Sequence, residues 1–445
     1  MTISAATSTV PANEAVSGRE RQSSRIASLD FVRGVAMILM AIDHVRVYSG
    51  LPAGGPTPGI LFTRWITNFV APAFVFLAGT AIYLHGSKLP DRGALSKFLL
   101  IRGAWLVLLE LTVLRVAWTF NFDFAHYLLA GVIWMIGWCM VIMGVLVRAP
   151  IAVNAIGGIG ILGLHNLTDL FSGALEHAFG NSGPNWLLKI LYFGGAVKLG
   201  SSGPPLVILY VIVPWIGVMM AGYGFGAVVE MPLERRRAIC LKLGVALTLL
   251  FIVLRAFNSY GDPRPWRRAP SAPPSAIPNS ASAAQPTPGT SSQAGPAGTT
   301  AGWAAPPRMP TALSFLNTTK YPASLSFLLM TLGPMFILLA FAEGWHGMVA
   351  EITATFGRVP MFYYLLHIPL IHLAACLVSL AREGHVNVWL FANHPMAAGP
   401  APPGYTWSLG LLYAVFAICV TLLYFPCRWY AQLRAMRKSK WLSYL

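Results

Sequence analysis

Ser28–Tyr48, SLDFVRGVAMILMAIDHVRVY, has the length of a helix that crosses a bilayer, yet it carries Asp30, Arg33, Asp43, His44 and Arg46 among its apolar residues. A span needs about 20 mostly apolar residues. Asp30, Arg33, Met37, Met40 and His44 are spaced by 3, 4, 3 and 4 residues, which places them in one stripe on one helical face. Arg33 and His44 lie ~16 Å apart along that stripe at the α-helical rise. Ionisable groups inside a span are costly and normally face a bundle interior or a water-filled cavity. The stripe therefore reads as a polar track through a membrane helix. The plainer reading makes Asp30 a helix cap, Arg33 a snorkelling side chain and His44 a helix-end histidine without a task. Asp43 is a candidate to orient or charge-stabilise the imidazole, although adjacent helical residues point about 100° apart.

Composition extends this reading to the whole chain. Hydrophobic residues make up 56% of the 445 and charged residues 10%, against roughly 25% charged in soluble domains. The expected fold class is all-α, a polytopic membrane bundle of about ten helices. Hydropathy and punctuation place them at 28–48, 61–84, 97–118, 125–147, 151–170, 205–229, 237–257, 322–343, 359–380 and 406–427. The net charge of +16 is spread over short segments between apolar runs, as the positive-inside bias requires, and this argues against a nucleic-acid partner. With ten spans both termini fall on the cytoplasmic side of a bacterial inner membrane. Residues 1–24 read as a disordered cytoplasmic tail, 25–257 as the first seven helices, and 258–320, rich in Pro, Ala and Ser, as a disordered extracytoplasmic loop without chemistry. Residues 321–430 complete the bundle and 431–445 form a basic tail. Cys139, Cys240, Cys376, Cys419 and Cys427 make no CxxC pair, and no histidine–carboxylate spacing suits a metal.

Other helices add candidate site residues. In FTRWITNFVAPAFVFLAGTAIYL, Phe62–Leu84, Arg64 and Asn68 precede Pro72, which frees a backbone carbonyl. Asn68 reads equally as a site residue or as interhelical glue. Glu110 lies deep among leucines and is expected in an ion pair with Arg33 or Arg115, with Arg102 nearer the helix end. Tyr363 and His367 are four apart on one helical face, with Tyr364 alongside at three. His367 is a second candidate site histidine, while His372 falls on another face.

Six segments taken together carry a family resemblance. They are SLDFVRGVAMILMAIDHVR, FTRWITNFVAPAFVFLAG, LLELTVLRVAWTFN, VPWIGVMMAGYGFG, KYPASLSFLLMTLGP and GRVPMFYYLLHIPLIH. The chain resembles bacterial membrane proteins of the heparan-α-glucosaminide N-acetyltransferase catalytic-domain family, within a wider superfamily of transmembrane acyltransferases. The resemblance implies acyl transfer from cytoplasmic acetyl-CoA, or another acyl-CoA, to a hydroxyl or amine of an extracytoplasmic glycan or amino sugar. His44 matches the superfamily's first-helix histidine and Arg33 its companion arginine. The lysosomal member carries its histidine in the following loop, and loop 49–60 here has none. Bacterial relatives often have histidine where Asn68 stands.

On this reading His44 is a general base or a transient acyl carrier. Asp43 or Asn68 orients or polarises, Tyr363 and His367 line the same cavity, and Arg92, Lys97 and Arg102 meet the phosphates of the acyl-CoA. Asp30, Arg33, Arg64 and Glu110 complete the substrate-binding set. The expected partners are the acyl-CoA, the acceptor, the lipid bilayer and, for assembly, a second copy of the chain. Two rivals stay open: a transporter or flippase for a lipid-linked or small anionic solute, and a scaffold with structural ion pairs only.

Overall fold

A computed structural model describes residues 12–52, 57–172, 174, 185–264, 266, 311–392 and 399–436, with side chains from residue 27 onward. Most of the expected loop 258–320, and the outer parts of both expected tails, lie outside the described residues. The architecture is an all-α membrane bundle with one small sheet. Its helices are α1 (Ala12–Tyr48), α2 (Pro58–Ile66), α3 (Val70–Gly86), α4 (Arg92–Leu109), α5 (Arg115–Thr119), α6 (Val132–Leu146), α7 (Ile151–Leu164), α8 (Leu167–Leu170) and α9 (Asn185–Leu188), followed by α10 (Val213–Val229) and α11 (Leu233–Phe257). After the insertion come α12 (Thr311–Leu316), α13 (Leu325–Ala342), α14 (Met348–Arg358), α15 (Pro360–Glu383) and α16 (Leu409–Met436).

Six segments are long and apolar enough to cross a membrane: Pro58–Gly86, Ile151–Leu170, Leu233–Phe257, Leu325–Ala342, Pro360–Glu383 and Leu409–Met436. Val132–Leu146 and Val213–Val229 are apolar but shorter. Among the described residues, six of the ten expected spans therefore meet the length and composition of a crossing helix, and the others fall short for physical reasons. The predicted first span is interrupted by Asp30, Arg33, Asp43 and Arg46, and the third by Arg102, Glu110 and Arg115. The predicted fourth and sixth spans each give up their opening residues to a strand. β1 (Leu128–Ala130) pairs parallel with β3 (Pro205–Ile208), which pairs antiparallel with β2 (Gly195–Lys198). At the other end of the first span, α1 runs back to Ala12, into the segment read as a tail.

Two local irregularities shape the interior. The second span is broken at Thr67–Phe69, a 3₁₀ turn between α2 and α3. Pro72 lacks the N–H that would bond the carbonyl four residues earlier, so the chain tightens just ahead of it. In the third span Glu110–Leu114 forms a π-helical turn. It delivers the Glu110 carboxylate to the start of α6, where Oε2 accepts from the backbone N–H of Ile133 at 3.0 Å and Trp134 at 3.3 Å. Glu110 is thus a helix cap supplied by another helix, using donors every helix N-terminus leaves open. The expected ion pair with Arg33 or Arg115 does not form. Arg115 instead donates to Thr119 Oγ1 and Asn121 Oδ1 and to the carbonyls of Asp123 and Tyr127, and Arg33 turns to Asp30.

Helices approach closely where they exchange glycines, as small residues allow in membranes. α1 lies against α14 with Gly34 facing the Thr353 carbonyl and Gly357 facing the Asp30 carbonyl, so tightly that a Cβ at either position would overlap backbone atoms. Gly79 of α3 and Gly222 of α10 meet in the same reciprocal way. Around these contacts the core is continuous, from Met37 and Met40 through Trp215, Phe327 and Phe356.

Gly34→Val should lower stability by about 1–3 kcal/mol or more through overpacking, whereas Gly160→Val, where an added Cβ meets nothing within 4 Å, should be nearly neutral to packing. Thermal unfolding of the detergent-solubilised protein compares the two. Glu110→Ala leaves two buried N–H groups without their acceptor and should cost ~1–3 kcal/mol, with Glu110→Gln recovering part of it. The same melts, run on both variants, check the cap.

Candidate functional site

The bundle brings together two histidines more than 300 residues apart in sequence. His44 Nδ1 of α1 lies 2.6 Å from His367 Nε2 of α15, with the rings stacked at 4.8 Å. Their protonation follows from the next neighbours. His367 Nδ1 is 2.7 Å from the Tyr364 carbonyl and 3.2 Å from that of Tyr363. A carbonyl only accepts, so Nδ1 of His367 carries the proton and Nε2 of the neutral ring is an acceptor. His44 Nδ1 must then donate, and in the neutral ring this leaves Nε2 with a lone pair and no hydrogen-bond partner among the described residues. The edge of Trp118, 4.7 Å away, fixes the other side of the ring. This arrangement resembles metal and triad sites in which a partner of one ring nitrogen sets the chemistry of the other.

His44 stands at the junction of two cavities. One, of about 610 Å³, runs past Arg33, Met37, Met40, Phe74, Leu77, Arg102, Arg358 and Arg434. It is apolar along its length and basic at its end. The other, of about 830 Å³, is lined by Arg64, Trp65, Asn68, Glu110, Trp118, Arg264, Asn317, Thr318 and Tyr321. Both are bounded by Asp43, His44, Val132, Tyr210, Lys320 and Tyr364, which make a neck between them. The first will be called the arginine-lined cavity and the second the loop-side cavity.

Asp43 does not orient His44. Its Oδ1 accepts from Arg46 Nε at 2.9 Å and its Oδ2 from Arg64 Nη1 at 3.1 Å, so the carboxylate ties α1 to α2 across the second cavity. The roughly 100° between adjacent helical positions is what turns it away; the orienting partner of His44 is His367. Asp30 sits inside a continuous α1 rather than at its cap, and Arg33 Nη1 donates to Asp30 Oδ1 at 3.0 Å and to the Gly357 carbonyl at 3.1 Å. Tyr363 is a second correction. It is fully buried between Phe356 and His367 and lines neither cavity, whereas Tyr364 faces the neck. His372 packs between Tyr48 and Phe120, as its different face requires.

Among the expected phosphate-binding residues, Arg102 borders the arginine-lined cavity, stacked near Phe98. Arg92 is committed to the carbonyls of Arg148 and Ala149, and neither it nor Lys97 borders the cavity. Arg358 and Arg434, unforeseen in the sequence, take their place. The loop expected to carry no chemistry contributes through its edges. Asp262 accepts from the Thr319 N–H at 2.9 Å, Thr319 Oγ1 at 2.7 Å and Ser324 Oγ at 3.1 Å. Arg255 donates to the carbonyls of Phe315 at 3.0 Å, Asn317 at 2.8 Å and Arg264 at 2.9 Å. This network presses Arg264 and Asn317–Tyr321 onto the loop-side cavity. Their separation from the helical motifs left no signal in the sequence beyond the KYPASLSFLLMTLGP run itself.

No curated protein matches the chain. The family model described as heparan-alpha-glucosaminide N-acetyltransferase, catalytic, matches residues 25–254, a stretch that contains His44 and both walls contributed by α1–α4. That match covers more than half of the 445 residues, and the chain belongs to the heparan-alpha-glucosaminide N-acetyltransferase catalytic-domain family.

Proposed function

We propose that the protein is a transmembrane acetyltransferase that uses acetyl-CoA, with His44 as the base that activates the acceptor. The observation that carries this reading is the relay from the Tyr364 carbonyl through His367 to His44, ending in a free Nε2 at the neck between two cavities. The arginine-lined cavity suits acetyl-CoA. Arg33, Arg102, Arg358 and Arg434 offer cations at its end for the nucleotide phosphates, and the apolar length between them and His44 suits the pantetheine arm. The loop-side cavity, with Trp65, Trp118 and Tyr321 beside polar Asn68, Asn317 and Thr318, suits a sugar that stacks on rings and hydrogen-bonds at its edges. Basic residues near the arginine-lined end, including Lys88, Arg92, Arg148 and Arg235–Arg237, support a cytoplasmic assignment for that side, for both termini, and for residence in a bacterial plasma membrane.

In the proposed reaction the acceptor hydroxyl or amine gives its proton to His44 Nε2 as its oxygen or nitrogen adds to the thioester carbonyl. The C–S bond breaks, and the imidazolium returns the proton to the departing sulfur. While His44 is charged, its Nδ1–H bond to His367 becomes charge-assisted and stronger, so His367 favours the transition state over the resting state. An acetyl group carried transiently on Nε2 would use the same nitrogen and the same relay.

In proteoliposomes supplied with acetyl-CoA and amino-sugar acceptors, thiol release by the wild type should fall ~10²–10⁴-fold in His44→Ala. His367→Ala should fall about 10–100-fold while retaining acetyl-CoA binding. Arg358→Glu should raise the KM for acetyl-CoA with little change in kcat. The linked cavities would also suit transport, and solute uptake by wild type without any thiol release would replace acyl transfer with that reading.

A further inference from the structure

Lys320 is a charged member of the neck that takes no part in the histidine relay or in the Asp43 ion pairs. It lies outside the family match, four residues after the end of α12, and its side chain is only 9% exposed. The backbone on either side is pinned: Thr319 is held by Asp262 through both its N–H and its hydroxyl, and the Ser324 N–H returns to the Thr319 carbonyl at 3.0 Å. Among the described residues Lys320 forms no ion pair. The nearby carboxylate of Asp43 is already taken by Arg46 and Arg64; the ammonium hydrogen-bonds the Tyr321 hydroxyl and stands 5.4 Å from the centre of that ring, so its nearest partner carries no full negative charge. A buried ammonium without a carboxylate costs several kcal/mol, and inside a membrane bundle such a group marks a functional site by default. It lines both cavities together with His44. A cation and a base therefore line the same neck from different elements, the base on α1 and the cation on the segment leading into α13.

Resting on the acetyltransferase reading, we propose that Lys320 is a catalytic residue that holds the acyl carbonyl oxygen of acetyl-CoA and stabilises the negative charge that builds on it. As the acceptor adds to the carbonyl carbon, the C=O π electrons move onto oxygen and the acceptor proton passes to His44. The oxyanion is met by the Lys320 ammonium, which keeps its own protons. When the carbonyl re-forms, the C–S bond breaks and the thiolate takes the proton back from His44. No oxidant or further reactant enters. A fixed cation aimed at developing charge in a site of low dielectric acts in the transition state more than in the ground state.

The test follows steady-state thiol release by the full chain in proteoliposomes, with acetyl-CoA binding measured in parallel for wild type, His44→Ala, Lys320→Met, Lys320→Gln and Lys320→Arg. Lys320→Met should lower kcat by ~10²–10³-fold while the KM and binding of acetyl-CoA stay within about threefold, because uniform binding is not what is lost. Lys320→Arg should restore part of kcat by returning a cation. Should Lys320→Met not fold as a monodisperse protein, Lys320→Gln, which keeps polarity and length, carries the same expectation. A kcat within threefold of wild type in either neutral variant, or a raised KM at unchanged kcat, would overturn the oxyanion role and leave the acetyltransferase reading standing if His44→Ala is inactive. Absence of thiol release from folded wild type would remove that reading and the oxyanion role together.

Discussion

The placement of α1 governs nearly everything else. Two glycines without side chains, Gly34 and Gly357, let α1 and α14 meet backbone to backbone, and α15 follows directly from α14 at Pro360. With that approach fixed, the distance between His44 and His367 is fixed as well, at 2.6 Å between ring nitrogens. A hydrogen bond of this kind tolerates only a few tenths of an ångström, so a change in helix spacing would break it before it unfolded the bundle. The relay is thus a readout of helix packing. It is also inexpensive to keep in order, because each donor in it finds an acceptor.

Charge is handled differently in the two halves of the site. Around Asp43 two arginines converge on one carboxylate, so the cluster keeps one net positive charge while its ion pairs hold α1 and α2 together. At the arginine-lined end, Arg33 has Asp30, Arg358 has Glu351, Arg102 lies over the Phe98 ring and Arg434 donates to the Arg358 carbonyl. A polyanion arriving there meets four guanidinium groups gathered at one end of the cavity. The interior of that cavity, lined by Met37, Met40, Phe74 and Leu77, carries no such charge. A ligand suited to it is charged at one end and slender and uncharged along the rest.

How much was legible in the sequence differed by element. The periodicity of Ser28–Tyr48 and the apolar runs revealed the membrane bundle, the stripe from Arg33 to His44, and His367 as its second histidine. These are local patterns, and helical geometry decodes them directly. The helical face at α15 was read one position off: both Tyr363 and Tyr364 lie within one turn of His367, and only packing against Phe356 decides that Tyr363 turns inward. Glu110 looked like half of an ion pair because its acceptors, N–H groups 23 and 24 residues away, belong to a helix start that no spacing rule connects to it. The contribution of residues 311–322 was hidden for a related reason. It depends on Asp262 and Arg255 reaching across the insertion, and composition there signalled only a linker.

That crossing has a consequence for how the chain tolerates change. Trp266 and Phe315, on opposite sides of residues 267–310, lie with ring centroids 5.3 Å apart, and Arg255 holds the carbonyls of Arg264, Phe315 and Asn317 at once. The insertion leaves and returns at one clasped point. The entropy of closing such a loop grows only logarithmically, about 0.6 kcal/mol for each doubling of length. The contacts that clasp the two ends therefore do not depend on how many residues lie between them. In evolutionary terms this is a port, a place where the protein can acquire a new extramembrane part without renegotiating the chemistry next to it.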